Sequence, residues 1–475
     1  MGSKGLWAFI KPVIKQVSLN KLKNKRLVID IILYLHKYII SIRNKGTEIK
    51  NKNNKNITHL VSLYNIIKQL TSYNILPICV FDGKPPELKK NTVNKRKMTV
   101  EKSKKIVDEL NKEIIKLYED WEEINLTDDN VTKPELITIN ENNLSCENDI
   151  YIEKIEEYEK IITSEYIKHF KKCHSITKDE INECKDLLKL MGIPYITSTE
   201  EADKETAELY NKYKHLMSGI LTEDSDILLY GGGCIYKDIN FVTNTVNEIN
   251  ISDVLEYLEN KSKEIIDEYK IQYNYKIIND KFNFNNLIDF SIILGNDFTN
   301  GIRINKKIFD SQNINNSTSN LSYARHIIFK QFILHNYDIP KLIKTLYKLN
   351  ETNETILYYI PENFEETYKE IRDIYIKKIN TEYTIDNLIM KKPNFMILNK
   401  LLLGNNILNK YNKTLFTRNL SNLYNQFKDL DQILEENYKK LYYSLLETNF
   451  KSLNGEDNDI TWNKVYKNKC KINLV

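Results

Sequence analysis

The sequence lacks the features that would place the chain in a membrane or in an oxidising compartment. It has no run of the roughly 18 apolar residues that a membrane-spanning helix needs, and its N-terminus has no signal-peptide-like apolar stretch. Its six cysteines form no CxxC pair, and the adjacent Cys173 and His174 have no second Cys/His pair to complete a zinc motif. The sequence therefore predicts a soluble intracellular protein with no membrane association, disulfide framework or zinc module.

A strong net charge is also lacking, because 69 Lys and Arg nearly balance 65 Asp and Glu. The charges are unevenly distributed, however. Residues 84–105 contain nine basic and two acidic side chains, whereas residues 106–165 contain eighteen acidic side chains and five lysines. The second stretch is polar around 125–150 and has few large apolar residues there, which predicts a helical insertion with a poorly ordered middle.

Short apolar runs that end in an acidic residue are the main positive signal. They are RLVID at 26–30, LPICVFD at 76–82, GILTEDSD at 219–226 and IILGNDF at 292–298. Runs of this kind are typical of strands buried on both faces of a parallel sheet. The helical stretches between RLVID and LPICVFD predict a right-handed crossover between these two strands. The fold class predicted is α/β, with a mostly parallel central sheet and helices on both faces.

This pattern also predicts how the chain is divided. We expect an N-terminal part of the core at 1–105, the acidic helical insertion at 106–175, a second part of the core at 176–310, and a helical C-terminal extension at 311–475. The last segment carries amphipathic, Tyr-rich helical stretches and no motif that indicates a role.

The acidic residues should meet, because ligands of open α/β sheets bind beyond the carboxyl ends of the strands. Glu201 and Asp203 lie two apart where a helix begins, and Asp224 and Asp226 should straddle a strand end at alternate positions. Any one of these acids is also explained by a favourable interaction with a helix dipole or by an Asx turn. Together they predict an oxygen-only site for two Mg²⁺ or Mn²⁺ ions, used most often for displacement at phosphorus. The seven acids are Asp30, Asp82, Glu201, Asp203, Asp224, Asp226 and Asp297.

Five strings resemble the signatures of the XPG-type structure-specific 5′ nucleases, the group of flap endonuclease and exonuclease 1. They are MGSKGLWAFIK at 1–11, FDGKPPELK at 81–89, MGIPYITSTEEAD at 191–203, ILTEDSDILLYG at 220–231 and ILGNDF at 293–298. The resemblance implies a PIN-like nuclease core with a helical arch insertion. It also implies cleavage of DNA at 5′ flaps, nicks, gaps or free 5′ ends, in the nucleus or at another site of DNA replication.

The resemblance also implies a role for each site residue. Asp82, Glu201 and Asp203 would bind one divalent ion and Asp224, Asp226 and Asp297 the other, with Asp30 acting through water. Lys89 and Arg96 would be catalytic cations, seven residues apart on one helical face and pointing toward the scissile phosphate. The residues expected to contact DNA are Gly2, His36, Lys84, Lys89, Lys95 and Arg96.

Two departures from the family pattern limit what the resemblance implies. The sequence DFTNGIRINKKIF has Gly301 but no second glycine after Ile304, so the duplex-gripping hairpin of the family would be shortened or rebuilt. The C-terminal KNKCKINLV lacks the string that binds the sliding clamp. His36-Lys37 resembles exonuclease 1 and GKPP resembles flap endonuclease, which leaves the subfamily open.

Other functions remain as alternatives. A 5′–3′ exonuclease of the exonuclease 1 type would use the same residues. A phosphatase with an aspartyl nucleophile would need a DxD motif at the first strand, but Asp30 is followed by Ile31 and Ile32. A catalytically silent DNA-binding scaffold would be favoured by the loss of a metal carboxylate, and all seven positions are acidic.

Overall fold

The computed structural model describes residues 3, 5–125, 148–273, 281–305, 317–353, 356–378, 383–405, 407 and 412–431. Gly2 and most of the polar stretch around 125–150 lie outside these residues. The Cα positions form two compact units. The first contains Met1–Tyr34, Asn65–Lys89 and Lys185–Val475, and the second contains Leu35–Tyr64 and Lys90–Cys184.

Helices account for most of the described chain. They are α1 (Leu6–Phe9), α2 (Ile31–Arg43), α3 (Thr58–Ser72), α4 (Lys90–Asn125), α5 (Asn148–Phe170), α6 (Lys178–Met191), α7 (Ala202–Lys212), α8 (Asp226–Leu229), α9 (Ile251–Tyr273), α10 (Phe284–Leu294), α11 (Ser317–Leu334), α12 (Ile339–Glu351), α13 (Phe364–Ile376) and α14 (Phe395–Gly404). Residues 412–431 are also helical. None of the helices within the described ranges combines the length and the apolar character that crossing a bilayer requires.

The first unit is built on a seven-stranded sheet. Its strands are β1 (Lys15–Ser18), β2 (Arg26–Asp30), β3 (Leu76–Phe81), β4 (Tyr195–Thr197), β5 (Gly219–Leu221), β6 (Cys234–Asn240) and β7 (Thr245–Asn250). Their order is β1-β7-β6-β5-β2-β3-β4. The β6–β5–β2–β3–β4 pairings are parallel, and the β1–β7 and β6–β7 pairings are antiparallel. Because every residue of β2 and β3 is buried, these strands are covered on both faces, as their continuous apolar runs predict.

The sheet has a topological switch point at β2. This strand pairs with β3 on one side and with β5 on the other, and the chain moves outward in opposite directions from these two neighbours. The loops after such strands diverge and leave a crevice beyond their carboxyl ends. This crevice is where the sequence predicts the acidic residues.

The described helices of the C-terminal extension complete the core of the first unit. Phe290 of α10 packs against Phe329 of α11 with ring centroids 4.8 Å apart. Asp289 of α10 accepts hydrogen bonds from Tyr368 and Arg372 of α13, each at 2.8 Å. The extension is therefore part of the fold that supports the sheet.

The last described helix is bound to the first strand of the core. Asp431 forms a buried ion pair with Arg26, the first residue of β2. The guanidinium of Arg26 also lies 4.9 Å from the centre of the Phe427 ring. Residues 412–431 are thus held at the amino end of β2, the strand that ends in Asp30.

The second unit contains the long helices α4 and α5, which pack along each other. Arg43 holds the end of α5 in place, because its guanidinium donates two hydrogen bonds to the Phe170 carbonyl at 3.0 and 2.7 Å and stacks 3.7 Å from the Phe170 ring centre. A hairpin of helices at this place agrees with the predicted helical insertion.

Candidate functional site

The strand ends place two carboxylates at the switch point. Asp30 is the last residue of β2, and Asp82 directly follows β3. The prediction that Asp224 and Asp226 straddle a strand end was wrong, since β5 stops at Leu221. Asp224 instead lies in a tight loop in which its Oδ1 accepts a hydrogen bond from Asp226 N at 3.0 Å, and Asp226 begins α8.

Helix ends supply the remaining carboxylates. Glu201 is the N-cap of α7 and Asp203 lies in its first turn, as predicted. The backbone N–H of Ala202 donates to Asp82 Oδ1 at 2.8 Å, so the start of α7 is held against the end of β3. Asp297 follows α10 after Gly295, whose φ of 90° turns the chain into the crevice.

These carboxylates interact electrostatically. Burial, followed by the charge of Asp82, raises the pKa of Asp30 well above its ordinary value. The pKa of Asp203 is raised in the same way by burial and then by Asp224 and Asp30. Burial and Asp224 raise the pKa of Asp226 to about 8. The cluster cannot ionise fully at neutral pH without cations among its oxygens.

The donor chemistry fits divalent cations that prefer oxygen. Asp203 Oδ1 and Asp226 Oδ1 are buried and have no hydrogen-bond partner among the described residues, which leaves both oxygens for a cation. The ligands at the site are carboxylates alone, a set that suits Mg²⁺ and Mn²⁺. Within the described ranges, no three His, Cys, Asp or Glu side chains already have the spacing of a finished metal site.

Lys89 lies inside the carboxylate cluster. Its Nζ is 2.6 Å from Glu201 Oε1, 3.4 Å from Asp297 Oδ2 and 5.3 Å from the centre of the Phe298 ring. Burial favours the neutral amine, but Glu201, Asp203 and Asp297 outweigh this effect and raise the pKa of Lys89. The ammonium is therefore a permanent cation of the site.

The predicted helical spacing of Lys89 and Arg96 was wrong. Lys89 ends a 3₁₀ turn at Glu87–Lys89 and α4 begins only at Lys90, so the two residues do not share one α-helical face. Arg96 belongs to the second unit, where it lines a basic cavity of about 630 Å³. Other basic residues that line it are Lys95, Lys168, Lys171, Lys172 and His174.

The other predicted DNA-contacting residues are dispersed. Lys84 is exposed in the loop after β3, and His36 is half-buried on α2 in the second unit. Gly2 lies outside the described residues. Their contact with DNA stays a prediction.

Sequence reasoning missed Tyr375, a buried residue of α13. Its hydroxyl donates to Asp226 Oδ2 at 3.1 Å and accepts from Asn296 Nδ2 at 3.2 Å. The Tyr375 ring packs against Tyr230, with centroids 5.0 Å apart. One of many tyrosines in the extension, it has no sequence signal, because only the packing of α13 brings it to the crevice.

Two family models match the parts of the chain that build this site. The XPG N-terminal domain matches residues 1–103, and the XPG I-region matches residues 192–297. Both parts of the core that build the site are thus similar to the XPG family. The resemblance noted in the five sequence strings is thereby confirmed, and the two XPG blocks contain all seven carboxylates and Lys89. Tyr375 and the acidic insertion at 106–175 lie outside both.

The named relatives of the chain are distant in sequence. Flap endonuclease 1 of Theileria annulata is 27% identical over 305 residues, which are 63% of this chain and 46% of that protein. Flap endonuclease 1 of Methanococcus aeolicus is 25% identical over 397 residues, which are 82% of this chain and 87% of that protein. The chain thus spans about half the length of the Theileria relative.

Similarity of fold to a solved structure extends over most of the chain. The catalytic core of Rad2 in complex with DNA substrate superposes with a TM-score of 0.50 and 20% identity, covering 88% of this chain and all of that one, at 100%. This likeness confirms the predicted α/β nuclease fold with a helical extension.

Proposed function

We propose that this chain is a divalent-cation-dependent, structure-specific nuclease that hydrolyses DNA phosphodiesters at 5′ flaps, junctions or free 5′ ends. The observation that carries the proposal is the gathering of seven carboxylates and Lys89 at the switch point of the sheet. Work in DNA replication, repair or recombination would follow from this activity.

The carboxylates would hold two cations, Mg²⁺ or Mn²⁺. In this proposal Asp82, Glu201 and Asp203 bind one ion, Asp224, Asp226 and Asp297 bind the other, and Asp30 acts through water. When bound, such ions activate water and stabilise the charge that develops on the phosphoryl oxygens. The raised pKa values of the buried acids support this assignment, because cations would replace the protons that these acids otherwise retain.

The protein's own side chains have separate tasks. The Lys89 ammonium is held by Glu201 and Asp297. If these two carboxylates bound cations instead, the ammonium would be available to a phosphate oxygen. Tyr375 fixes the carboxylate of Asp226 through its hydroxyl and is a positioning residue. No nucleophile from the protein is required, since water is the attacking group.

Binding of DNA would use the basic side chains that the sequence predicts. Lys84, Lys95 and Arg96 are exposed, and their charges suit a phosphate backbone. His36 would stack on a base. We also propose that the helical insertion at 106–175 acts as an arch between the two parts of the core, 1–105 and 176–310.

The proposal is tested by incubating the purified chain with end-labelled flap, nicked, gapped and single-stranded DNAs in Mg²⁺, Mn²⁺ or EDTA. We expect cleavage near the 5′ end or the junction, 5′-phosphate products, and no cleavage in EDTA. An Asp224→Ala variant purified in parallel controls for contaminating nucleases. Cleavage that persists in EDTA, or intact DNA under every condition, would contradict the proposed function.

A further inference from the structure

A second cluster of ionisable side chains lies in the second unit and contains two histidines. The side chain of His59, next to the start of α3, is completely buried. Its Nε2 lies 2.9 Å from Glu183 Oε2, and its Nδ1 lies 3.5 Å from Glu180 Oε1. His174, in the loop after α5, has its Nε2 4.0 Å from Glu180 Oε2. The two imidazoles therefore converge on one carboxylate at the start of α6.

Hydrogen bonding defines the state of His59. When Nε2–H donates to the Glu183 carboxylate, Nδ1 carries a lone pair and can only accept. The Nδ1 of His59 and the Nε2 of His174 are both buried without a hydrogen-bond partner among the described residues. In this neutral form the lone pair faces a carboxylate oxygen and is repelled, so either a proton or a metal cation has to lie between the two atoms.

The Glu180 carboxylate is held so that one oxygen remains for that cation. Its Oε2 caps α6 by accepting hydrogen bonds from Thr177 N at 2.8 Å and Thr177 Oγ1 at 3.1 Å. Its Oε1 is the oxygen closer to His59 Nδ1. Capping explains the presence of a glutamate here, but it does not explain why two buried imidazole nitrogens lie beside it.

Two cations near the cluster have carboxylate partners of their own. Lys55 forms an ion pair with Glu183, and Arg43 forms one with Glu48. The charge of Arg43 also acts on Glu180, whose carboxylate lies within 4.0 Å of both imidazoles. Burial lowers the pKa of His174, which favours the neutral imidazole that binds metals.

We propose that His59 Nδ1, His174 Nε2 and Glu180 Oε1 bind one Zn²⁺-like transition-metal ion, at a site separate from the seven carboxylates. Metal–ligand bonds of about 2.0–2.2 Å at tetrahedral angles place ligand atoms roughly 3.3–3.6 Å apart. The separation of 3.5 Å between His59 Nδ1 and Glu180 Oε1 fits this value. His174 Nε2 lies 4.0 Å from the other oxygen, Oε2, so the His174 ring must move toward the ion. This need for movement agrees with the lack of a finished three-residue metal site among the described residues.

The neighbours of the cluster match those of known histidine ligands. A carboxylate that accepts the second N–H of a metal-binding imidazole fixes its tautomer, and Glu183 does so for His59. Imidazole ligands also distinguish this site from the carboxylate site, because they favour Zn²⁺ or Co²⁺ over Mg²⁺. The bound ion would join the loop after α5 to the starts of α3 and α6 and stabilise the second unit.

Titration of the full chain with Co²⁺ tests the proposal, with excess Mg²⁺ present to occupy the carboxylate site. We expect one equivalent of Co²⁺ to bind with the visible absorption of a tetrahedral imidazole site, and Zn²⁺ to displace it. His59→Gln and His174→Gln should lose this signal. Glu183→Gln should keep it with an affinity lower by about 10–100-fold, as for other partners of metal-binding histidines.

His169→Gln is the matched control, because His169 is a histidine of the same unit that pairs with Glu165 and not with Glu180. It should bind Co²⁺ like the wild type. If His59→Gln does not fold, the Co²⁺ signals of His174→Gln and Glu183→Gln, whose side chains are less buried, decide whether the site exists. The proposal is overturned if wild type gives no such signal or if both histidine variants retain it. It is also overturned if the cluster binds no metal and only protons stabilise it, seen as a melting temperature that depends on pH in wild type but not in His174→Gln.

Discussion

At the scale of single residues, hydrogen bonds from remote parts of the chain decide the geometry of the carboxylate site. Asp226 shows this, because it is held on one side by its own loop and on the other by Tyr375. The acidic identity of Asp226 could be predicted from its place after an apolar run. Its orientation could not, because Tyr375 lies 149 positions along the chain from it.

Tyr375→Phe should raise the Mg²⁺ concentration needed for half-maximal cleavage and lower the rate, by about 10–100-fold in total. Loss of the hydroxyl frees the Asp226 carboxylate, and supporting residues of metal ligands typically contribute this much. The measurement is single-turnover cleavage at increasing Mg²⁺. Tyr368→Phe is the control, since it removes a hydroxyl of the same helix that binds Asp289 instead. An equal Mg²⁺ requirement in both variants would refute a positioning role.

Lys89→Ala should reduce the single-turnover rate of cleavage by a factor on the order of 10² while changing DNA affinity little, because a cation near the reacting phosphate acts mainly in the transition state. Arg96→Ala should behave similarly if its family position holds. The exposed Lys104 provides the control substitution, Lys104→Ala. If all three variants lost affinity equally and none lost rate, the basic tract would serve only as an electrostatic surface.

At the scale of helices and strands, the sequence predicts the buried elements well and their ends poorly. The parallel strands β2 and β3 follow from their continuous apolar runs. The strand before Asp224 ends early because two side chains bond to the backbone nearby. Thr222 Oγ1 accepts a hydrogen bond from Asp224 N, and Asp224 Oδ1 accepts one from Asp226 N. Such local bonds compete with a strand ladder, and a pattern of apolar residues does not report them.

The start of α4 is a second place where the sequence predicts the end of an element poorly. A lysine-rich stretch predicts one continuous helix, but Pro86 accepts a hydrogen bond from Lys89 N at 3.0 Å and closes a 3₁₀ turn before that helix begins. Because of this turn, Lys89 lies among the carboxylates and leaves the face of α4. The sequence therefore singles out Lys89 but assigns it to the wrong element.

The acidic insertion is an element whose role remains open to a direct test. Its excess of acids cannot favour a phosphate backbone, so we expect it to limit which DNA ends reach the site. Deletion of residues 125–150 should leave flap cleavage measurable but reduce the ratio of flap to blunt-duplex cleavage, most strongly at low salt. The measurement is this ratio at two salt concentrations.

A full-length control separates charge from length in the deletion experiment. In it, the acids of 125–150 are replaced by Asn and Gln. The neutralised variant should relax the discrimination as the deletion does. An unchanged ratio in both folded variants would show that the insertion has no part in substrate selection.

At the scale of the whole molecule, the buried acids couple stability to pH and to cations. The pKa of Asp226 is about 8 in the folded chain against an ordinary value of 3.8, so between these values the folded state binds more protons than the unfolded state. Stability without divalent cations should therefore fall as the pH rises through this window. Added Mg²⁺ should restore it, because cations take the place of the protons.

This prediction is measured as the melting temperature from about pH 5 to 8 in EDTA and in Mg²⁺. Asp226→Asn should flatten the fall in EDTA. Asp253→Asn is the control, since Lys15 lowers the pKa of Asp253 and its contribution has the opposite sign. A melting temperature in EDTA that rises across the window for wild type would contradict the raised pKa values.

The molecule as a whole was predictable where apolar runs mark buried parallel strands, which places Asp30 and Asp82 at one edge of the sheet. Glu201 and Asp203 begin a helix as predicted, whereas Asp224 and Asp226 lie beyond the strand end that the sequence predicts for them. The antiparallel partners β1 and β7 and the packing of the C-terminal helices depend on contacts between distant segments. No local pattern reports these contacts, and Tyr375 and the His59–His174 cluster were missed for that reason.

In the proposed function, these carboxylates hold the cations that act in DNA cleavage. The decisive measurement is the single-turnover cleavage of a 5′-flap DNA by Asp82→Ala and Asp226→Ala in saturating Mg²⁺, with DNA binding measured alongside and Asp253→Ala as the control. We predict that both site variants bind DNA and do not cleave it, whereas the control cleaves like wild type. Either site variant cleaving as fast as wild type would contradict the claim.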